Sequence, residues 1–324
     1  MAEKELISIA FLIVGSLMLY FGADFLVKGS SRLAFKLGIT PLIIGLTVVA
    51  FGTSSPELVV SLSAGFDGNS SIALGNVIGS NICNIALILG LAALIKPLEV
   101  NIRAVSSDLW IMLIASAVVI IMALDGDLDT LDGIILILGI IGYIVNIIRK
   151  SSKNKPEIDI DLTDGGKSIK DKTYFQIFLI VLGLVVLMVG ANLFLEGAVN
   201  IAESLGVSNA VIGLTVVALG TSLPELATST VAAVKGESDI SLGNVVGSNI
   251  FNILMILGAT SMFFPIGSKD ISVIDIGVMI FLSLVIIPLG MRHNRFSRMD
   301  GLFLLAVYAG YMFYLFKYSG TVTG

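Results

Sequence analysis

Apolar residues run along this chain in blocks too long for strands and too continuous for the one-sided helices of a soluble domain. Such blocks lie near residues 6–27, 39–66, 72–95, 105–124 and 131–148. A second set lies near 174–195, 207–234, 240–265, 271–290 and 301–316. A helix of about 20 apolar residues crosses the hydrocarbon core of a bilayer, so the pattern predicts an all-α integral membrane protein with ten transmembrane helices. The first block lacks a small-residue cleavage site and outruns a signal peptide, which predicts a retained span. Residues 151–172 mix acids and bases around Gly165 and Gly166 with no apolar period, which predicts a flexible tether.

Composition narrows the class. Of 324 residues, 56% are hydrophobic and 13% charged, against about 45–50% and about 25% in soluble proteins. A soluble enzyme is excluded, and a net charge of −5 gives no basic surface for nucleic acid. The lone cysteine, Cys83, and the lone histidine, His293, exclude an internal disulfide, a thiolate cluster and any site needing two imidazoles. Paired aspartates, a zinc motif or a Ser–His pair would mark an intramembrane protease, and the spans contain none. No enzyme, no cofactor and no obligate protein partner is expected.

Ten spans put both termini on one side, and the bases choose which. Lys28, Arg32 and Lys36 follow span 1; Lys96 and Arg103 follow span 3; Lys235 follows span 7; Arg292, Arg295 and Arg298 follow span 9. Arg149, Lys150, Lys153, Lys155, Lys167, Lys170 and Lys172 follow span 5. Sixteen of nineteen bases thus share a face, leaving Lys4, Lys269 and Lys317 for the other. The positive-inside rule makes the rich face, with the 151–172 loop, cytoplasmic and both termini external. A multi-pass protein of the plasma membrane is the expectation.

The chain also repeats itself. Residues 44–58, IGLTVVAFGTSSPEL, match 212–226, IGLTVVALGTSLPEL, at 13 of 15 positions. Residues 74–90, LGNVIGSNICNIALILG, match 242–258, LGNVVGSNIFNILMILG, at 13 of 17. The common offset of 168 also pairs Gly22-Ala23 with Gly190-Ala191, Leu37-Gly38 with Leu205-Gly206, and Asp132-Gly133 with Asp300-Gly301. The repeat is therefore a five-span unit, 1–150 and 173–324. Five is odd, so the second copy enters the membrane inverted, as in secondary transporters whose sites lie at the repeat interface.

The candidate chemistry sits inside the repeats. Glu57 and Glu225 lie in apolar blocks, where a carboxylate costs several kcal/mol unless paired, protonated or ion-bound. No Lys, Arg or His in either core segment can pair with them. Pro56 and Pro224 precede them, lack an N–H and clash with the carbonyls of Gly52 and Gly220, which predicts broken helices 2 and 7. Thr53 and Ser54, with Thr221 and Ser222, fall on the faces of their own glutamates if helical turns persist. Asn76, Ser80 and Asn84, with Asn244, Ser248 and Asn252, form polar stripes at i, i+4, i+8. Packing explains the adjacent G-x-x-x-G glycines, but not the amides and hydroxyls. Carboxylate, hydroxyl, amide and carbonyl are hard oxygen donors suited to Ca²⁺ and Na⁺. Two ionised glutamates would be neutralised by one Ca²⁺ or two Na⁺.

With these twin motifs, GTS-x-PE and GN-x-x-GSN, the chain resembles the cation/Ca²⁺ exchanger superfamily over nearly its whole length, especially the Na⁺/Ca²⁺ exchangers. The resemblance implies spans 2, 3, 7 and 8 around four cation sites. Its ligands would be Glu57, Glu225, Thr53, Thr221, Ser54, Ser222, Ser80, Ser248, Asn84 and Asn252, with the carbonyls of Ala50 and Ala218. It also implies that spans 1 and 6 form a sliding gate. K⁺-dependent relatives carry an acid where this chain has Asn252, and proton-coupled ones place an acid and a histidine nearby. Amides at both positions favour Na⁺ coupling, with Ca²⁺/H⁺ exchange as the alternative. The usual three Na⁺ per Ca²⁺ would move one charge, about 2.3 kcal/mol per 100 mV. A cation channel is the competing class, distinguished by single-channel conductance.

Asp125, Asp127 and Asp129 imitate an EF-hand start, but Thr130 replaces the required glycine and Leu136 the final glutamate. Asp132 and Asp300 instead read as helix caps. Cys83, aligned with Phe251, reads as a packing position, and His293 as solvated.

Overall fold

The apolar blocks fold as helices, in a computed structural model that describes residues 2–153, 172–207, 218–268, 272–292 and 294–319. The helices are α1 (Ala2–Leu37), α2 (Pro41–Ile44), α3 (Ala50–Thr53), α4 (Ser55–Phe66), α5 (Ser71–Ile82), α6 (Gly90–Ile95), α7 (Ile102–Met122) and α8 (Thr130–Lys153). They continue as α9 (Thr173–Ser204), α10 (Ala218–Gly220), α11 (Leu223–Lys235), α12 (Ser238–Phe251), α13 (Gly258–Phe263), α14 (Val273–Met291) and α15 (Arg298–Ser319). Among the described residues eight continuous helical segments are long and apolar enough to cross a bilayer. A bent pair, Pro41–Thr53 with Ser55–Phe66 at 43°, passes the same test as one crossing. The expected span 207–234 lies partly outside the described residues, as do the tether over 154–171, Lys269 and His293. The side chains of Lys4, Arg103, Lys153 and Ala218 also lie outside them.

Two expectations about helix length need correcting. Helices α1 and α9 run to Leu37 and Ser204, about ten residues beyond the spans read from hydropathy. Lys28 bonds Asp24 one turn back at 2.7 Å, and long basic side chains can reach water while their backbone stays helical. Lys28, Arg32 and Lys36 therefore belong to α1 and not to a loop after it. Each helix stops where a glycine enters the left-handed region, Gly38 at φ 64° and Gly206 at φ 77°. There Ile39 N–H reaches Ala34 O and Val207 N–H reaches Ala202 O, both at 3.0 Å.

Two short ribbons organise the interior helices. Strand β1 (Leu98–Glu99) pairs with β4 (Arg295–Phe296), and β2 (Asp127–Leu128) pairs with β3 (Ile266–Gly267), both antiparallel. The 168-residue offset maps the register Leu98↔Phe296 onto Ile266↔Leu128. Helix α7 leaves the β1·β4 ribbon and ends at the β2·β3 ribbon, whereas α14 runs the opposite way. The ribbons therefore mark opposite ends of the molecule. Bases gather at the β1·β4 end, where Arg295 lies in β4, Lys96 donates to Val234 O and Lys150 bonds Ser107 near the start of α7. Asp125, Asp127 and Asp129 gather at the other end. Asp129 caps α8 by accepting from the N–H groups of Leu131 and Asp132, and Asp132 accepts from Asp129 N–H. Ser297 and Asp300 repeat this cap on α15.

Helix α12 is the centre of the bundle, with every residue from Ile240 to Phe251 buried. Around it pack α5, the π-helical segments Cys83–Leu89 and Asn252–Leu257, and α7. Outside, α1 and α9 lie against each other along their lengths through glycines spaced by seven. A Cβ on Gly22 would sit 2.8 Å from Leu187 N, on Gly15 2.7 Å from Phe194 N, and on Gly183 2.6 Å from Leu26 N. Gly15, Gly22 and Gly29 map by the repeat onto Gly183, Gly190 and Gly197. Backbone contact this close leaves no room for a side chain.

Overpacking this seam costs on the order of 1–3 kcal/mol. Gly22→Val is therefore expected to lower the thermal unfolding midpoint of the detergent-solubilised chain. Gly142→Ala, where an added Cβ meets nothing within 4 Å, is expected to leave it unchanged. Equal midpoints for the two variants would refute the seam.

Candidate cation site between the two halves

Proline places each glutamate. Pro56 and Pro224 lack an N–H, so the carbonyls of Gly52 and Gly220 have no donor four residues on. The helix stops before the proline and restarts with it in the first turn, where no N–H is needed. The interruption falls on Ser54 (φ −84°, ψ 7°) and Ser222 (φ −88°, ψ 6°), which cap α4 and α11 with nearly equal backbone angles. Glu57 and Glu225 thereby stand in the first turns of those helices. Ala50 O accepts from Ser54 N–H at 3.0 Å and from the Thr53 hydroxyl at 3.4 Å. In the second copy Ser222 N–H turns instead to Leu219 O at 3.2 Å.

The hydroxyls reach across to the other half, and this corrects the pairing expected from spacing. Ser54 Oγ donates to Glu225 Oε1 at 2.8 Å, and Ser222 Oγ donates to Glu57 Oε1 at 3.2 Å. Thr53 also approaches Glu225, and Thr221 approaches Glu57. The break at Ser54 turns its side chain out of the helix face that carries Glu57. The single proton of the Thr53 hydroxyl has its shorter acceptor in Asn244 Oδ1, at 3.0 Å against 3.4 Å for Ala50 O.

Helices α5 and α12 supply the amides. Asn76 Nδ2 donates to Ser61 Oγ at 3.0 Å and Glu57 O at 3.3 Å. Asn244 Nδ2 donates to Ser229 Oγ at 2.9 Å and Glu225 O at 3.4 Å. These two asparagines hold the backbone that bears the glutamates. Farther along, Asn84 and Asn252 lie where each α-helix loosens into a π-helical turn. Such turns recur at functional sites because they re-aim side chains. Ser80 and Ser248 are buried on the same elements.

What remains is a set of buried oxygens without partners: Glu57 Oε2, Glu225 Oε2, Asn84 Oδ1, Asn252 Oδ1 and Ser248 Oγ. Their residues are at most 1% exposed. A buried acceptor left unmade costs about 1–3 kcal/mol, more if charged. No Lys or Arg stands among the groups that act on Glu57 and Glu225, and the ion pairs of Asp24 with Lys28 and Lys235 involve neither glutamate. Nor do three His, Cys, Asp or Glu side chains converge anywhere among those residues. Two carboxylates with amide and hydroxyl oxygens make a hard-donor set. Cys83 is buried, as expected of a packing position, and with Ser222, Phe194 and Leu195 lines an adjoining cavity of 210 Å³.

Several participants escaped the sequence reading. Asn81, Asn249, Ser61 and Ser229 recur at the 168-residue offset, which was the available signal. Asp24 has no acidic counterpart in the second half. Its cue was Lys28 one turn away, and its tie to Lys235 joins α1 to the last residue of α11.

Helices, seam and oxygen-lined centre define a multi-pass membrane protein with a polar interior shared by two similar halves. Residues 7–149 and 175–317 match the family described as "Sodium/calcium exchanger protein", and the chain belongs to that family. It is 33% identical over 340 residues to the sodium/calcium exchanger MaX1 of Methanosarcina acetivorans, covering 94% of this chain and 97% of that protein. It is 37% identical to the inner membrane protein YrbG of Escherichia coli, covering 89% and 90%. Among solved structures it resembles the sodium-calcium exchanger NCX_Mj soaked with 10 mM Na⁺ and zero Ca²⁺, with a TM-score of 0.80 and 33% identity. That match covers 94% of this chain and 97% of the other.

A ligand that binds only the folded state stabilises it, by about 2.7 kcal/mol at one hundred times its dissociation constant. Ca²⁺ is therefore expected to raise the thermal unfolding midpoint of the purified chain. The rise should vanish in Glu57→Gln and Glu225→Gln; a midpoint indifferent to Ca²⁺ in the unaltered chain would contradict a cation site here.

Proposed function

We propose that the chain is a secondary active antiporter exchanging Na⁺ for Ca²⁺ by alternating access. Its architecture on this reading is ten transmembrane helices in two inverted five-helix repeats, 1–150 and 173–324, joined by a cytoplasmic linker over 151–172, with helices 2 and 7 broken. Two family matches offset by 168 residues support the repeat, and the opposite runs of α7 and α14 between the two ribbons support its inversion. The basic β1·β4 end faces the cytoplasm, both termini are external, and the membrane is the plasma membrane.

The carrying observation is the group of unpartnered buried oxygens on Glu57, Glu225, Asn84, Asn252 and Ser248. With Thr53, Thr221, Ser54, Ser222, Ser80 and the carbonyls of Ala50 and Ala218, they form the proposed ligand set for Ca²⁺ and Na⁺. One Ca²⁺ needs both carboxylates. Sodium ions need them too, so the cations exclude one another and their opposite movements are coupled. The names of MaX1 and NCX_Mj support the choice of ions. Three Na⁺ per Ca²⁺ would make the exchange electrogenic, and α1 with α9 forms the moving gate.

The test is Ca²⁺ uptake into reconstituted vesicles under an outward Na⁺ gradient, compared with a proton gradient. Sodium-driven uptake is expected, with accumulation increased by an interior-positive potential, because three Na⁺ leaving for each Ca²⁺ entering carry one net positive charge outward. Glu57→Gln and Glu225→Gln should each abolish it, and Thr53→Ala or Thr221→Ala should weaken its Na⁺ dependence. Proton-driven uptake indifferent to Na⁺ would replace this reading with Ca²⁺/H⁺ exchange, and single-channel conductance with a channel.

A further inference from the structure

Four asparagines form a hydrogen-bonded chain across the middle of the bundle, with Asn81 and Asn249 at its centre and Asn84 and Asn252 at its ends. Asn84 Nδ2 donates to Asn249 Oδ1 at 3.0 Å, and Asn252 Nδ2 donates to Asn81 Oδ1 at 3.1 Å. Asn81 Nδ2 donates to Asn249 O, and Asn249 Nδ2 to Asn81 O, each at 3.4 Å. All four are buried to within 1%. Each half thus holds the amide of the other. The bonds use the NH₂ groups of Asn84 and Asn252 and leave both of their Oδ1 atoms without a partner.

Orientation is what these bonds decide. A primary amide presents an acceptor oxygen on one side and two N–H donors on the other. Rotation about its last torsion exchanges them, and that torsion is broad and roughly two-fold. An amide turned the wrong way would offer a cation positive hydrogens where it needs a lone pair. The backbone carbonyls of residues 81 and 249 fix the outer pair, which in turn fixes the inner pair.

We infer that Asn81 and Asn249 are positioning residues for cation binding, each setting the amide of the opposite half so that Asn252 and Asn84 present oxygen to the ion. This inference rests on the reading of Asn84 and Asn252 as ligands under Proposed function. Asn81 acts on Asn252 and Asn249 on Asn84, so the coupling runs crosswise between halves. Neighbours on one helix are not the functional pairs.

Reconstituted full-length protein tests this by the apparent KM for Ca²⁺ in Na⁺-driven uptake. Asn81→Ala and Asn249→Ala should each raise KM about three- to tenfold, the effect of one lost buried hydrogen bond, with the maximal rate within about twofold of the unaltered chain. Asn81→Ala should add nothing to Asn252→Ala, nor Asn249→Ala to Asn84→Ala, because the oriented group is already gone. The same-helix pair Asn81→Ala with Asn84→Ala should instead multiply. Should an alanine variant fail to fold, Asn81→Ser and Asn249→Ser replace it in the same cycles. Crosswise pairs that multiply, or a fall in maximal rate with KM unchanged, overturn the positioning role alone. An unchanged KM in both Asn84→Ala and Asn252→Ala overturns the ligand reading itself.

Discussion

Two carboxylates buried in an apolar bundle must be answered by something, and the interior of this protein is arranged around that demand. Glu57 and Glu225 are each met by the serine and threonine of the opposite half, and each keeps one oxygen open. The proline before each glutamate ends the helix where that serine can turn outward. The asparagines of α5 and α12 then hold the glutamate backbones from the side. Remove the carboxylates and the breaks, serines and buried amides would lose their evident purpose.

The same pairs separate what is tied from what can shift. Both ribbons join the halves by backbone hydrogen bonds, and the asparagine chain joins them again between. Helices α1 and α9 stand outside these ties, in backbone contact with each other through glycines. In the proposed cycle they move together past a fixed interior. The bond from Asp24 to Lys235 links α1 to the end of α11, has no acidic equivalent at Asn192 on α9, and is a tie that such a movement of α1 has to break.

Much of this was readable from the chain. Nine of the expected spans have a counterpart among the described residues, because lipid demands long apolar runs that hydropathy detects. The repeat exposed Glu57 and Glu225, because a costly residue kept in both copies stands out from its background. Partnership was harder to read. A constant offset shows which residues are equivalent but not which ones touch, so spacing points Ser54 to Glu57 whereas its bond is to Glu225. Hydropathy places the ends of α1 and α9 too early because it stops at the first charged side chain, Lys28 or Glu196, whereas each helix stops at a left-handed glycine. Two-residue strands and π-helical turns leave no periodicity to detect.

The ribbons carry a consequence for the surrounding lipid. At about 1.5 Å per residue, α7 and α14 are struts of roughly 31 and 29 Å between the same two ribbons, close to the roughly 30 Å of a typical hydrocarbon core. They run in opposite directions and are pinned at both ends, so neither can tilt freely to suit a thicker or thinner membrane. A protein held this way matches one bilayer thickness and leaves the lipid to deform where the match fails.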